Sequence, residues 1–425
     1  MIRLIQILLT VLISSFFLFP FNLPITGAAI NTKMILAVIG VLLFILDTMK
    51  AKMLQVSKDF LILSLICIAI GIWALGVTLQ NMVDDNSFVT YLISVWVWIG
   101  AAYAIVWIIR SVHGKVTVEI VGNYLIGVCV FQCILAYLMS LFPSLRDFII
   151  NVMRESYSVR YEGRLFGLGA ALDPAGLRFS GVLAVLSFLI SQTDFSHKKW
   201  TGCAYILSFF IIAVIGNIIS RTTIVGLVIG LIYWMINSFS GKNKSNSAAF
   251  YSMFAPIFVV LLILMIWLYH VSPSFHDNIR FGFEGFFSLV EKGRWEVHSN
   301  DVLEKMIIWP ESLKTWIIGD GFFMNPTEIP DRFGQVSVGF YMHTDIGYLR
   351  YIFYFGVIGL LLMMAVPIQI TASCCRSMPE YKGLFIMFLL VTFTGWLKVS
   401  SDIIMVFAPF LVLAYEADTT AHSAP

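Results

Sequence analysis

The side chains best suited to chemistry lie in one short stretch, His343-Thr344-Asp345-Ile346-Gly347-Tyr348-Leu349-Arg350, which closes a polar segment, 271–346. A neutral imidazole can take a proton from a hydroxyl group, and the planar guanidinium of arginine binds phosphate oxygens through paired hydrogen bonds. A single histidine is more often a hydrogen-bonded surface residue than a catalyst. Asp345 two residues away, followed by Arg350, favours catalysis here, with His343 and Asp345 as candidate catalytic residues.

The elements that must position these residues are apolar helices. Apolar residues make up 59% of the chain and charged residues 12%, where an ordinary globular domain has about a quarter of its residues charged. The mean hydropathy is +0.89. We predict an all-α polytopic membrane protein, one integral membrane domain over 1–425, with about twelve transmembrane helices. The predicted spans are 4–19, 33–46, 59–79, 88–109, 116–141, 176–191, 203–219, 222–238, 250–270, 347–370, 383–397 and 401–416, of which the last two are also compatible with one broken helix.

The composition argues against several other classes of protein. A net charge of +2 is too small to indicate nucleic-acid binding. The six cysteines do not suggest a disulfide framework, because most lie in or beside apolar runs, where cysteine behaves as a small hydrophobic residue. The sequence shows no metal-ligand spacing and no glycine-rich phosphate loop followed by Lys-Ser or Lys-Thr. We therefore expect no metal site and no ATP-driven activity.

The sidedness follows from the basic residues, which concentrate on the cytoplasmic side of membrane proteins. With the N-terminus inside, every even connection is basic, whereas 80–88 carries Asp84 and Asp85 and no base. This alternation predicts two outward-facing loops, a medium one at 142–175 and a large one at 271–346. The basic residues of the even connections are Lys50, Lys52, Lys58, Arg110, Lys115, Lys198, Lys199, Lys242, Lys244, Arg376 and Lys382.

Arginine and lysine are distributed differently across the predicted membrane. Nine of fourteen lysines are predicted to face inward, whereas ten of thirteen arginines are predicted to face outward. Topology alone gives no reason for outward arginines, but phosphate binding does. The alternative is ordinary surface arginine paired with acids such as Glu155, Glu162 and Asp173. Charge near a bilayer is costly unless it is paired. We therefore expect the arginines at predicted membrane boundaries to bind anions; they are Arg164, Arg178, Arg221, Arg280 and Arg350. The other outward arginines are Arg146, Arg154, Arg160, Arg294 and Arg332.

The large loop is predicted to be folded. Asp301 and Glu304 have the spacing of a capping box that opens a short helix at 302–309. Pro310 is predicted to start a second short helix at 311–318, which Gly319 ends. Apolar residues recur at helical spacing and include tryptophans, which indicates helices lying at the membrane interface.

Four short segments, in this order and in these loops, resemble the O-antigen polymerase and ligase superfamily of bacterial inner-membrane glycosyltransferases. The architecture of about twelve spans with a medium and a large outer loop resembles it as well, over most of the chain. The segments are Arg164-Leu165-Phe166-Gly167 running on to Asp173-Pro174-Ala175-Gly176; Ser220-Arg221-Thr222-Thr223; Ile317-Ile318-Gly319-Asp320-Gly321-Phe322; and 343–350 followed by Tyr354-Phe355-Gly356-Val357-Ile358-Gly359.

The resemblance implies an activity. Such enzymes act on polyprenyl-diphosphate-linked oligosaccharide at the periplasmic side of the inner membrane, where a sugar hydroxyl attacks the anomeric carbon and polyprenyl diphosphate leaves. The resemblance implies that the reaction needs no metal or other cofactor. It implies the lipid bilayer and lipid-linked glycan as partners, and it is compatible with a further protein that sets chain length. It assigns Arg164, Arg221 and Arg350 to the diphosphate and His343 to the role of base; Arg178 and Arg280 are added from their position alone.

Three alternatives stay open. The segment 345–356 favours the polymerase branch over an O-antigen ligase that transfers glycan to lipid A-core. A transporter or flippase of lipid-linked sugars would carry charged or broken helices at the bilayer midplane, whereas the polar residues here gather at the outer surface. A structural or assembly protein would leave the outward arginines unexplained.

The predicted sidedness is testable by cysteine labelling in a background without the native cysteines. Pro330→Cys should react with a membrane-impermeant maleimide added from outside, because it lies in the large outer loop. Lys198→Cys, in a predicted inner connection, should react only after permeabilisation. The reverse pattern would invert every sided inference.

Overall fold

The computed structural model describes residues 2–23, 30–52, 56–153, 164–239, 244–327, 329–330, 336–337 and 339–423. Within these residues, eight helices are long and apolar enough to cross a membrane. The prediction of a multi-pass helical membrane protein is therefore confirmed. The eight are Thr32–Ala51, Lys58–Asn81, Tyr91–His113, Val118–Leu141, Leu172–Gln192, Lys199–Ile219, Phe250–Val271 and Gly347–Ser377.

Every predicted apolar run falls on a helix, although not every run is long enough for a candidate span. Ile2–Leu18 and Arg221–Asn237 are shorter apolar helices. The last two runs form two helices, Lys382–Gly395 and Ile404–Ser423, with 396–403 between them. The total of about twelve spans and their sidedness remain predictions.

The chain forms two compact units, each built from two stretches. Unit 1 comprises Met1–Val41 and Ala101–Trp295, and unit 2 comprises Leu42–Gly100 and Glu296–Pro425. One integral membrane domain over the whole chain remains a prediction.

In chain order the helices are α1 (Ile2–Leu18), α2 (Thr32–Ala51), α3 (Lys58–Asn81), α4 (Tyr91–His113), α5 (Val118–Leu141), α6 (Pro143–Met153), α7 (Leu172–Gln192), α8 (Lys199–Ile211, continued by a π-turn Ile212–Gly216 and by Asn217–Ile219), α9 (Ile224–Phe239, preceded by a 3₁₀ turn Arg221–Thr223), α10 (Lys244–Val271), α11 (Pro273–Gly282), α12 (Glu284–Lys292), α13 (His298–Lys305), α14 (Leu313–Ile317), α15 (Gly347–Ser377), α16 (Lys382–Gly395) and α17 (Ile404–Ser423).

Helix α7 is the centre of unit 1, and all of its residues from 179 to 190 are buried. Small residues let α9 approach it closely, as is typical of helix contacts in membranes. A Cβ atom on Gly226 would lie 2.3 Å from Ser180 Cα, and one on Gly230 would lie 2.2 Å from Ser187 Oγ. At the other end of this contact, the 3₁₀ turn before α9 lies beside the start of α7, where a Cβ atom on Gly176 would meet Ser220 and Thr222.

Helix α15 of unit 2 is interrupted near its first third. Phe355 (φ −139°, ψ 23°) and Gly356 (φ 68°, ψ −174°) leave the helical conformation. The turn after α14 fills the interruption, because a Cβ atom on Gly356 would lie 2.1 Å from Ile317 O and one on Gly319 would lie 2.5 Å from Tyr354 O. The segment 317–321 is therefore built against the broken helix.

The interruption frees carbonyl groups that an unbroken helix would bond internally, and such groups are costly to leave unpaired in a membrane. Three donors from elsewhere in unit 2 satisfy them. The pairs are Asp320 N to Phe353 O (2.7 Å), Gly321 N to Tyr354 O (2.9 Å) and Trp73 Nε1 to Phe355 O (2.8 Å).

The large loop, 271–346, is folded into short elements, but two predicted helix starts are wrong. Helix α13 begins at His298 after Val297, which makes no side-chain cap, so Asp301 lies in its first turn and is not the capping residue. Helix α14 begins at Leu313 because Ser312 Oγ accepts a hydrogen bond from Thr315 N at 3.0 Å. The short strands Ile329–Pro330 and Val336–Ser337 pair antiparallel. Gly319, at φ +89°, follows the end of α14 as predicted.

The medium loop, 142–175, contains α6 and the first turn of α7, and 154–163 lie outside the described residues. Helix α6 packs Ile149 and Met153 against Phe21 and Phe166. The described part of this loop is therefore folded onto unit 1.

Gly356→Ala should lower the free energy of unfolding by about 2–3 kcal/mol, since its conformation is available almost only to glycine and its new methyl group would meet Ile317 O. Denaturant or thermal unfolding in micelles would measure this. Gly76→Ala is the matched control, because a Cβ atom there meets nothing within 4 Å. Equal stability of the two variants would contradict the role given to the interruption.

Candidate functional site

Arg350 lies in the first turns of α15 and is 4% exposed. Its Cζ atom lies 3.9 Å from the ring centre of Phe323 and 3.3 Å from that of Phe340. Cation–π contacts offset part of the cost of burying the charge but use no N–H group. Among the residues that the structure describes, Nε and Nη2 of Arg350 have no hydrogen-bond partner.

Both rings are held from outside α15. Asp85 Oδ2 accepts a hydrogen bond from Phe323 N at 2.8 Å. Asn325 Nδ2 donates to Phe340 O at 3.0 Å. Phe88 also packs edge-on against Phe323, with ring centres 5.3 Å apart. The two rings that contact the guanidinium are thus held in place by 80–88 and by the large loop.

His343 ends a 3₁₀ turn, Tyr341–His343, and is partly exposed. Met342 and His343 have φ values of +56° and +51°, which side chains with a Cβ atom rarely adopt. Asn325, 4% exposed, fixes the turn, because its Oδ1 accepts from Met342 N at 3.2 Å and its Nδ2 lies 3.5 Å from His343 Nε2. Asn325 therefore helps to position the candidate base, His343, and also Phe340, whose ring lies against Arg350.

Asp345 lies between the candidate base and the arginine. Thr344 beside it is fully buried, and its Oγ1 accepts from Ile346 N at 3.3 Å. Asp345 is partly exposed and attracts Arg350 electrostatically. His343, Asp345 and Arg350 all belong to unit 2, with His343 at the end of the turn 341–343 and Arg350 in the first turns of α15.

A second polar group in unit 2 surrounds Asp320. Thr315 Oγ1 donates to its carboxylate at 2.8 Å and Tyr341 OH does so at 3.4 Å, while Lys314 Nζ lies 4.0 Å away. Burial, together with this carboxylate, raises the pKa of Tyr341 to about 12. Asp320 thereby links the turn at 319–321 to the turn that carries His343.

In unit 1, Arg164 and Arg221 share one aromatic ring. Their Cζ atoms lie 5.2 Å and 4.3 Å from the ring centre of Phe281. Arg221 Nε donates to Phe281 O at 3.0 Å, and its Nη2 lies 2.7 Å from Glu284 Oε2. The structure therefore brings two of the predicted anion-binding arginines together, with a carboxylate on one of them.

Two of the four segments that carry the family resemblance, 164–176 and 220–223, also meet in unit 1. Asp173 accepts hydrogen bonds from Ser220 Oγ, at 3.1 Å, and from Thr222 Oγ1. A Cβ atom on Gly176 would lie 2.5 Å from Ser220 Oγ, so only glycine allows this approach. Asp173 thus fixes the turn that presents Arg221.

Arg280 and Arg178 have other surroundings. Both terminal nitrogens of Arg280 bind Glu291, at 2.7 Å and 2.8 Å, on a partly exposed surface. These hydrogen bonds lower the pKa of the Glu291 carboxyl and raise that of Arg280. Arg178 lies on α7 with its Cζ atom 5.8 Å from the ring centre of Phe19. Anion binding by either remains a prediction.

Several residues named from the sequence lie outside the described residues: Arg154, Glu155, Arg160, Glu162, Lys242 and Arg332.

Sequence reasoning missed the residues that hold the arginines and the candidate base. They are Phe281, Glu284, Asp320, Phe323, Asn325 and Phe340. For Asp320 the tight Gly319-Asp320-Gly321 turn was a signal, although a weak one. The others had none, because each partner is remote in sequence from the residue it holds.

Comparisons with protein-family models, with curated proteins and with solved structures give no match to this chain. Membership of the polymerase and ligase superfamily therefore remains a prediction from the four segments.

Asn325→Ala should loosen 339–343, because it leaves Phe340 O and Met342 N without their side-chain partner, at a cost of about 1–3 kcal/mol each. Faster amide hydrogen exchange in 339–343 would measure this. Asn237→Ala is the control, since Asn237 is exposed and bonds Tyr233 O in its own helix. Unchanged exchange in the Asn325 variant would show that another contact fixes the turn.

Proposed function

We propose that this protein is a glycosyltransferase of the bacterial inner membrane that polymerises polyprenyl-diphosphate-linked oligosaccharide repeats into O-antigen or a related surface polysaccharide. The reaction takes place on the periplasmic side. The single observation that supports it best is the buried Arg350, beside the turn that carries His343.

A buried guanidinium is costly unless an anion or hydrogen-bond acceptors complete it. The rings of Phe323 and Phe340 contact the cation of Arg350, and Nε and Nη2 find no hydrogen-bond partner among the described residues. These two nitrogens can bind two oxygens of one phosphate group. A diphosphate leaving group is such an anion, and a preorganised arginine stabilises the charge that it gains in the transition state.

In the proposed reaction, a hydroxyl oxygen of the acceptor sugar attacks the anomeric carbon of the donor. A new carbon–oxygen bond forms with inversion, and the bond to the diphosphate oxygen breaks and leaves its electron pair there. His343 takes the hydroxyl proton, with Asp345 beside it. Arg350 binds the departing diphosphate, and neither a nucleotide nor a metal ion takes part.

Unit 1 supports the proposal separately. Arg164 and Arg221 lie against the same ring, Phe281, and in this proposal they bind one anion together. An apolar cavity in the same unit is lined by Leu165, which follows Arg164, and by Ile218 and Phe275. A charged group next to an apolar cavity suits a lipid that carries phosphate.

The test is transfer by purified protein in lipid, with polyprenyl-diphosphate oligosaccharide and no nucleotide or added metal, and with products resolved as a ladder on a gel. His343→Ala and Arg350→Ala should each lower the rate by about 10²–10³-fold. His276→Ala and Arg146→Ala are the matched controls, because both are exposed outer-loop residues beside an acid, and they should keep the wild-type rate.

A ladder made equally well by the His343 and Arg350 variants would contradict the assignment of both residues. Transfer only to an added lipid A-core acceptor would move the protein to the ligase branch. No product with either acceptor would favour a transporter of lipid-linked sugars.

A further inference from the structure

The ion pair between Arg221 and Glu284 occupies the position at which an anion would bind this arginine. Arg221 Nη2 lies 2.7 Å from Glu284 Oε2, and the side chains are 18% and 35% exposed. Glu284 is thus the more accessible partner. It is also the first residue of α12.

We infer that the Glu284 carboxylate is an internal substitute for phosphate on Arg221, and that it moves aside when a diphosphate group binds there. This rests on the proposed function in taking diphosphate as the ligand.

Arg221 is built to stay in place when its partner leaves. Its Nε donates to Phe281 O at 3.0 Å, and its Cζ lies 4.3 Å from the Phe281 ring centre. Neither contact involves Glu284. The guanidinium therefore remains oriented while its terminal nitrogen exchanges one anionic oxygen for another.

The charges of the cluster explain why a carboxylate must leave. Arg164 and Arg221 are close enough to repel each other, and Asp173 and Glu284 supply the matching negative charge. A diphosphate bound at Arg221 would face these two carboxylates at short range and be repelled by them. Glu284 contacts the terminal nitrogen of Arg221 directly, so it is the carboxylate that an anion bound at this nitrogen must displace.

Such a substitute has a chemical purpose. A buried or half-buried arginine without an anion is costly, so an internal carboxylate stabilises the empty site. It also sets a threshold for the incoming group, since a neutral sugar cannot displace a carboxylate from a guanidinium, whereas a diphosphate can. The ion pair would then select for lipid-linked donors that carry their diphosphate.

The experiment is a titration of the purified full-length chain with inorganic pyrophosphate, measured by calorimetry in nanodiscs of neutral phosphatidylcholine. Glu284→Gln keeps the side-chain shape and removes the competing charge, so pyrophosphate should bind about tenfold more tightly. Glu284→Ala is the second variant if the first does not fold. Asp277→Asn is the matched control, because Asp277 is an exposed acid of the same loop that pairs with His276, and the affinity of this variant for pyrophosphate should stay at the wild-type value.

Arg221→Ala separates this inference from the proposed function. It should weaken pyrophosphate binding, and adding Glu284→Gln to it should restore nothing. If Arg221→Ala weakens binding while Glu284→Gln raises the affinity for neither pyrophosphate nor a lipid diphosphate, Glu284 is a structural partner and the inference is wrong. If Arg221→Ala leaves binding unchanged, the proposed role of Arg221 in the diphosphate site fails with it.

Farnesyl diphosphate in place of pyrophosphate identifies the source of the phosphate. If Glu284→Gln raises the affinity for pyrophosphate and for farnesyl diphosphate equally, the position beside Arg221 binds the diphosphate group itself. If the affinity rises for farnesyl diphosphate alone, the position binds a diphosphate that is carried on a lipid. A gain for neither overturns the inference.

Discussion

A membrane helix can be interrupted only where its freed carbonyl groups find donors, and this constraint organises unit 2. Helix α15 breaks at Phe355 and Gly356, and the turn 319–321 supplies two of the donors. That turn is consequently fixed to the helix, and Asp320 in it accepts a hydrogen bond from Tyr341. The turn that carries His343 and the helix start that carries Arg350 are therefore tied to one frame. Without the interruption, the large loop would have no such anchor on α15.

The arginines predicted to bind anions are stabilised in different ways. Arg350 relies on aromatic rings, Arg221 on a ring and one carboxylate, and Arg280 on a two-point ion pair at the surface. An exposed ion pair contributes little to stability because water screens it. The cost of isolating a charge rises with burial, so Arg350 has the strongest demand for an external anion. Arg221 already has an anionic partner within the chain, the carboxylate of Glu284.

The sequence predicts helices better than it predicts contacts. Continuous apolar runs in the sequence identify the eight described helices that are long and apolar enough to cross a membrane, because length and hydropathy are local properties. The start of α13 is wrong because Asp301 and Glu304 match a capping box that the neighbouring backbone does not form. Arg350 and His343 stand out by type and position. The residues that hold them, such as Asn325, become visible only when distant segments fold together.

The most direct measurement is a structure of the wild-type chain in nanodiscs saturated with a polyprenyl diphosphate. Binding of the diphosphate by Arg350 predicts phosphate oxygens within hydrogen-bonding distance of its Nε and Nη2, with the rings of Phe323 and Phe340 still against the guanidinium. A bound lipid diphosphate that leaves these two nitrogens without a phosphate oxygen would contradict the central role of Arg350.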